Sequence, residues 1–285
     1  MASIDSSRFV TGQKKAASAP TYGDANYWSV RYSTTVNEPF DWYVRWEQLK
    51  ESLTSILDPE KKPKILVLGC GTSTLSEEMY AEGFEDITNV DSCQELVEAL
   101  REKHQDKENM KYESFDARRL PQAFAEKKKQ LEEERLAAEA GKEPEDKEEG
   151  KEEEKMEEEK KEEDFLFDLV IDKACLDCIA CAQDSKLEIH RLLLSVSRVL
   201  KPGTGIYVCI SHAPPDLRQP MLVGIADFTR IQSQKYKWTY SHETLPRLLS
   251  NPLNPPGAKD KIEFTPSAAF RSKEHVYNMY MCHKL

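Results

Sequence analysis

Lys64-Ile65-Leu66-Val67-Leu68-Gly69-Cys70-Gly71-Thr72-Ser73 is an aliphatic run that ends in Gly-x-Gly and opens a helical pattern. An unbroken apolar run of this length, bounded by glycine, reads as a strand buried in a parallel sheet whose main chain then turns sharply against a ligand. A second apolar run closes at Asp91, twenty residues past Gly71. Glycine lets the backbone approach a ligand with no Cβ in the way, and a carboxylate at the tip of the next strand can accept hydrogen bonds from both hydroxyls of a ribose. Together these features form a nucleotide cradle.

Outward from this stretch, strands and helices alternate, which implies right-handed crossovers and a mostly parallel, Rossmann-like α/β sheet with helices on both faces. Seven strands are expected, at 64–69, 87–91, 110–116, 167–173, 205–211, 237–242 and 276–283. Helices are expected at 73–82, 93–104 and 187–200, the last stopped by Lys201-Pro202-Gly203.

In such a sheet ligands sit beyond the carboxyl ends of the strands, where strand order reverses. Four residue pairs end strands there: Gly69 with Gly71, Asp91 with Ser92, Asp116 with Ala117, and Asp172 with Lys173. Asp91 would hold the ribose, Asp116 would accept from the adenine amine, and Asp172 would lie near a cationic part of the ligand. The alternative for each acid is a helix cap or a solvated turn. Thr74 replaces the third glycine of the dinucleotide fingerprint, which disfavours close pyrophosphate approach. S-adenosylmethionine, with a ribose and no phosphate, therefore fits better than NAD.

The 285 residues carry a formal charge of −11, unevenly spread. Residues 126–164 hold nineteen acids and ten bases, so the remainder is nearly neutral and has no basic nucleic-acid footprint. This stretch of Glu, Lys and Ala has no apolar stripe, and it reads as an acidic low-complexity insertion in a methyltransferase-sized domain spanning 21–285. It is expected to be either disordered or a charged helix held by i,i+4 pairs, and solvated and dispensable rather than a dock for a basic partner. Residues 1–20 read as a disordered tail. No eighteen-residue apolar run or secretory h-region is present, so a cytoplasmic protein is expected. The seven cysteines suit reduced thiols. Cys175, Cys178 and Cys181 lack a fourth ligand at metal spacing, so they read as small packing residues with no metal.

Three of the four tryptophans, Trp28, Trp42 and Trp46, fall within nineteen residues. They read either as helices packed on the sheet edge or as a lid, since a sulfonium cation is attracted to aromatic faces.

The chain resembles the class I, seven-stranded S-adenosylmethionine-dependent methyltransferases, and within them the lysine methyltransferases of eukaryotic elongation factor 1A, a family whose small member is also fused to endothelin-converting enzyme 2. The resemblance is carried by Tyr27-Trp28-Ser29-Val30-Arg31-Tyr32, Asp41-Trp42, the glycine run, Asn89-Val90-Asp91, Asp168-Leu169-Val170-Ile171-Asp172-Lys173-Ala174-Cys175-Leu176-Asp177, Ser197-Arg198-Val199-Leu200 and Met281-Cys282-His283-Lys284. It implies an antiparallel last strand, and cofactor contacts at Trp28, Tyr32, Trp42, Gly69, Asp91, Ser92, Asp116, Ala117 and Lys173. It also implies a protein substrate, elongation factor 1A, with neither membrane nor direct nucleic-acid partner.

For a lysine acceptor, an aromatic, partly dry channel lowers the ammonium pKa from its ordinary value of about 10.4. Trp28, Tyr32, Trp42 and Tyr43 are its expected walls. Asp177 is expected either to draw the lysine in or to cap the helix after the fourth strand. Asp172-Lys173-Ala174-Cys175 stands where an Asp-Pro-Pro-Tyr or Asn-Pro-Pro-Tyr would mark nucleobase or amide methylation. The rival readings are a small-molecule methyltransferase, a non-catalytic cofactor-binding scaffold and, less well supported by Thr74, a nicotinamide dehydrogenase.

Overall fold

A computed structural model describes residues 21–139, 165–223, 236–246 and 276–285. Helices α1 (Ala25–Thr35) and α2 (Trp46–Ile56) precede an alternation of β1 (Ile65–Leu68), α3 (Leu75–Ala81), β2 (Ile87–Asp91), α4 (Gln94–Lys103), β3 (Met110–Ser114) and α5 (Leu120–Glu139). The chain continues through β4 (Leu169–Lys173), α6 (Cys175–Ile179), α7 (Ser185–Val199), β5 (Ile206–Ser211), α8 (Pro215–Leu222), β6 (Trp238–Pro246) and β7 (Val276–Lys284).

The seven strands form one sheet in the order β3-β2-β1-β4-β5-β7-β6. β7 runs antiparallel to both β5 and β6, and the pairings among β1 to β5 are parallel. Strand order reverses between β1 and β4, so the two loops leaving those strands diverge and open a crevice above the sheet.

Strand periodicity sorts the core into two layers. Ile65, Val67, Leu169 and Ile171 pack on one face with Leu49 and Leu53 of α2, Met79 of α3 and Leu96 of α4. Leu66, Leu68 and Val170 pack on the other with Ile189, Leu192, Leu193 and Val196 of α7. β1 and β4 are buried along their whole length, which is why they read as aliphatic runs rather than as alternating patterns.

The expected strands are all present, with ends displaced by a few residues, and β6 runs on to Pro246. Part of the acidic stretch belongs to α5, which begins with buried Leu120 and Phe124 and carries its charges onward from there. Lys127 is ion-paired with Glu113, and Lys129 lies 3.6 Å from Glu133 in an i,i+4 pair. The tail at 1–20 and residues 140–164 lie outside the described residues. Among the described residues no helix is long and apolar enough to cross a membrane.

Candidate cofactor site

The crevice above β1 and β4 is a cleft of about 270 Å³. Its floor is the turn after β1. Gly69 and Gly71 adopt φ of +57° and +52°, where an L side chain is strained, and a Cβ on Gly71 would stand 2.8 Å from the Tyr32 hydroxyl. The Asp91 carboxylate at the tip of β2 accepts from the Gly71 N–H (3.0 Å) and the Cys93 N–H (3.1 Å), so it holds the turn in shape. Burial pushes the Asp91 carboxyl up from its ordinary value, and these backbone donors partly offset that.

Asp116 follows β3 and lies at the same rim. Its carboxylate caps the turn Ala117–Arg119 through the Arg118 N–H (2.9 Å) and takes the Arg118 guanidinium in a fork (2.8 and 2.7 Å). Burial would raise its pKa, but the Arg118 hydrogen bonds and charge outweigh this and hold the carboxyl below the usual range. The cap and the cleft-lining position are therefore both realised, and an adenine amine would share the carboxylate with Arg118.

The roof comes from α1 and the segment after it. The Trp28 and Tyr32 rings stack at 5.9 Å, and Trp42 stands edge-on to Trp28 at 6.3 Å and to Phe40 at 5.2 Å. The Trp28 indole N–H donates to the Tyr22 carbonyl at 2.9 Å. Asp41 fastens this roof. Its carboxylate accepts from Lys173 Nζ at 2.6 Å, from the Ser73 hydroxyl, and from the Thr74 hydroxyl at 3.0 Å, so the loop is tied both to the end of β4 and to the start of α3. Burial opposes the ionised form of Asp41, yet the Lys173 charge and the hydroxyl donors leave its pKa lowered.

Trp28, Tyr32, Trp42, Gly69, Gly71, Asp91, Ser92, Asp116, Ala117 and Lys173 all line the cleft. Three other expectations are corrected. Asp172 is fully buried on the opposite face of the sheet, where it accepts from the Tyr207 hydroxyl (2.9 Å) and the Leu176 N–H (3.1 Å). Strand alternation sends neighbours to opposite faces, so Lys173 faces the roof and Asp172 cannot. Tyr43, at φ 67°, does not line the cleft: its ring stands edge-on to that of Trp42 at 6.2 Å and lies 4.8 Å from Tyr277. Asp177 neither faces the cleft nor caps α6. It accepts from the Tyr43 hydroxyl (2.7 Å) and the Ser211 hydroxyl (2.6 Å), pairs with His212 (2.7 Å), and forms an ion pair with Arg218 of α8. Burial opposes its charge, but Arg218 and these hydrogen bonds hold the carboxyl well below the ordinary range.

The buried Asp172 makes a pH prediction. Burial raises its carboxyl from 3.8 to about 7, so the folded chain keeps a proton there that the unfolded chain releases near the ordinary value. Stability should then fall as pH rises from about 4 to about 7, by on the order of 2–4 kcal/mol, and level off above. Asp172→Asn should lack that limb in urea titrations compared across pH; an identical limb in the variant would assign it to another group.

Whether this cleft suits adenosylmethionine or a dinucleotide is decided by its charges. A diphosphate brings two negative charges, but of the cations that line the cleft among the described residues Lys173 is neutralised by Asp41 and Arg118 by Asp116 and Glu188, which leaves Arg31 of α1 alone to meet them. Cβ-free approach at Gly71, acids at the ends of β2 and β3, and an aromatic roof fit a phosphate-free nucleoside bearing a cation.

Residues 66–128 match the family model of the methyltransferase domain. The chain resembles the class I methyltransferases and, within them, the elongation factor 1A lysine methyltransferases. The mouse eEF1A lysine and N-terminal methyltransferase is 28% identical over 199 residues, covering 69% of this chain and 22% of the relative. This chain thus spans about a fifth of that protein. The cattle EEF1A lysine methyltransferase 4 is 26% identical over 235 residues, covering 78% of this chain and 71% of the relative. Among solved structures, the N-methyltransferase NodS of Bradyrhizobium japonicum WM9, in complex with S-adenosylhomocysteine, is 10% identical with a TM-score of 0.42 over 83% of this chain and 87% of its own. S-adenosylmethionine is the cofactor that fits this cleft.

Proposed function

We propose that the chain is a protein-lysine N-methyltransferase of the cytoplasm whose substrate is elongation factor 1A. The observation that carries this reading is the aromatic roof of Trp28, Phe40 and Trp42 over a phosphate-free nucleoside cleft, in a chain whose curated relatives are named for lysines of that factor. Asp91 and Asp116 would hold the adenosyl part, and the Gly69 to Gly71 turn would let it lie against the backbone. When bound, adenosylmethionine supplies a methyl group already activated by a cationic sulfur.

The residues of the chain do the rest by position. Rings exclude water from the acceptor, which favours the neutral amine of a lysine, and a fixed approach can be worth on the order of 7–11 kcal/mol through effective molarity. A strong general base is unnecessary, which agrees with the enclosure of Asp177 beside Arg218.

The test is incubation with labelled cofactor and elongation factor 1A from cells depleted of methylation, followed by peptide mass spectrometry. Methylated lysine on the factor is the expected product. Label confined to small molecules would favour the small-molecule reading, and tight cofactor binding without any transfer would favour a scaffold.

A further inference from the structure

A second groove, of about 520 Å³, adjoins the cofactor cleft and shares Asp116 and Arg118 with it. One wall is the turn Ala117–Arg119 with the start of α5, and the other is α7. Arg191, Leu194, Ser195 and Arg198 line it at helical spacing, hence from one face of α7, which makes the groove about 10 Å long. Four arginines and two carboxylates meet there, so positive charge is in excess. Arg118 is held by Asp116 and Glu188, and Arg191 by Glu188 at 2.8 Å. Arg119 and Arg198 are exposed, and among the described residues neither forms an ion pair.

Unpaired guanidinium groups on opposite walls of an elongated groove suit a ligand with several carboxylates in a row, each able to meet a planar fork. A lone phosphate needs donors that converge on one point. Among the described residues no aromatic ring lines the groove to stack a base.

The chain carries a matching ligand beside the groove. Residues 143–164 hold fourteen acids and five lysines, including Glu152-Glu153-Glu154 and Glu157-Glu158-Glu159. At the end of this run the Phe165 ring stacks at 5.4 Å on Phe124 of α5, two residues past Gln122 of the groove. Phe167 then donates its N–H to the carbonyl of Val199 (2.8 Å), the residue after Arg198. Eight residues counted back from Phe167 reach Glu159 and can span up to about 27 Å, more than the length of the groove. Tethering at that range gives an effective concentration on the order of mM.

We propose that the groove docks the chain's own acidic run, residues 143–159, against Arg119 and Arg198. The run is then a ligand of the domain, in place of the solvated and dispensable insertion that its composition suggests, and it keeps foreign polyanions off these arginines.

Digestion of the full chain by a glutamate-specific protease tests this. At low salt the run should be cut at least about fivefold more slowly in the parent than in the double variant Arg119→Gln with Arg198→Gln, and the difference should vanish in about 0.5 M NaCl, which screens exposed pairs. Equal rates at low salt would overturn the proposal. A second measurement follows a fluorescein-labelled peptide of residues 143–164 by anisotropy. It should bind a chain carrying E152Q, E153Q, E154Q, E157Q, E158Q and E159Q at least about tenfold more tightly than the parent, where the tethered run competes, and the two arginine changes should abolish the gain. Equal binding to both chains would mean that the groove stands open for a partner's acidic segment, and tighter binding of a single-stranded oligonucleotide than of the peptide would assign it to nucleic acid; either result, or no peptide binding at all by folded protein, would overturn the proposal.

Discussion

Asp91→Ala should lower affinity for adenosylhomocysteine by roughly a hundredfold or more, because two ribose hydroxyls lose a charged acceptor worth about 1.5–3 kcal/mol for each hydrogen bond. The same carboxylate holds the Gly71 and Cys93 N–H groups, so the change also loosens the turn on which the nucleoside would lie. Isothermal titration on material with native circular dichroism measures the loss. Asp91→Asn, which retains one acceptor oxygen, should recover part of it. Affinity unchanged in the alanine variant would mean that the ribose is held elsewhere.

The second large effect concerns stability. Asp177 and Arg218 are each about 98% enclosed and form an ion pair that ties α6 to α8. Arg218→Leu leaves a buried carboxylate without its counter-charge, a change that costs about 3–5 kcal/mol and lowers Tm by roughly 6–20 °C in a domain of this size. The direction with pH follows from the depressed carboxyl. Its stabilisation is complete above the ordinary value of 3.8 and is lost as pH falls through the lower folded-state value. In Arg218→Leu the acid limb should therefore move to higher pH. Replacing both partners by leucine should cost less than either single change. Thermal melts at several pH values check all three statements, and a single variant as stable as the parent would show that the pair is dispensable. Tyr43, which donates to Asp177 from the segment carrying Trp42, gives this network a route to the roof, so cofactor affinity should fall with stability in Arg218→Leu.

How much of this was legible beforehand depended on whether the responsible force was local. The buried strands announced themselves because a strand covered on both faces has to be aliphatic throughout, as Ile65–Leu68 is. Gly69 and Gly71 were legible because the backbone angles they adopt favour glycine. The acids at the ends of β2 and β3 followed from strand periodicity alone. Asp172 was misplaced because the two residues Asp172-Lys173 were read as one strand-end unit, although pleating sends them to opposite faces. Lys173 in fact meets Asp41, 132 residues away in sequence, and no local pattern announces that partnership. Nor did one announce Arg218, which comes from an unforecast helix and turns Asp177 from an expected cap or acceptor guide into the centre of a buried network.

On this reading the cleft grips an adenosyl group between Asp91, the glycine turn and the aromatic roof. Calorimetry of the intact chain with adenosylhomocysteine and, in parallel, with NAD tests it most directly. Saturable one-to-one heat with adenosylhomocysteine and none with NAD is the predicted result; the reverse preference, or silence toward adenosylhomocysteine from folded protein, would contradict the account.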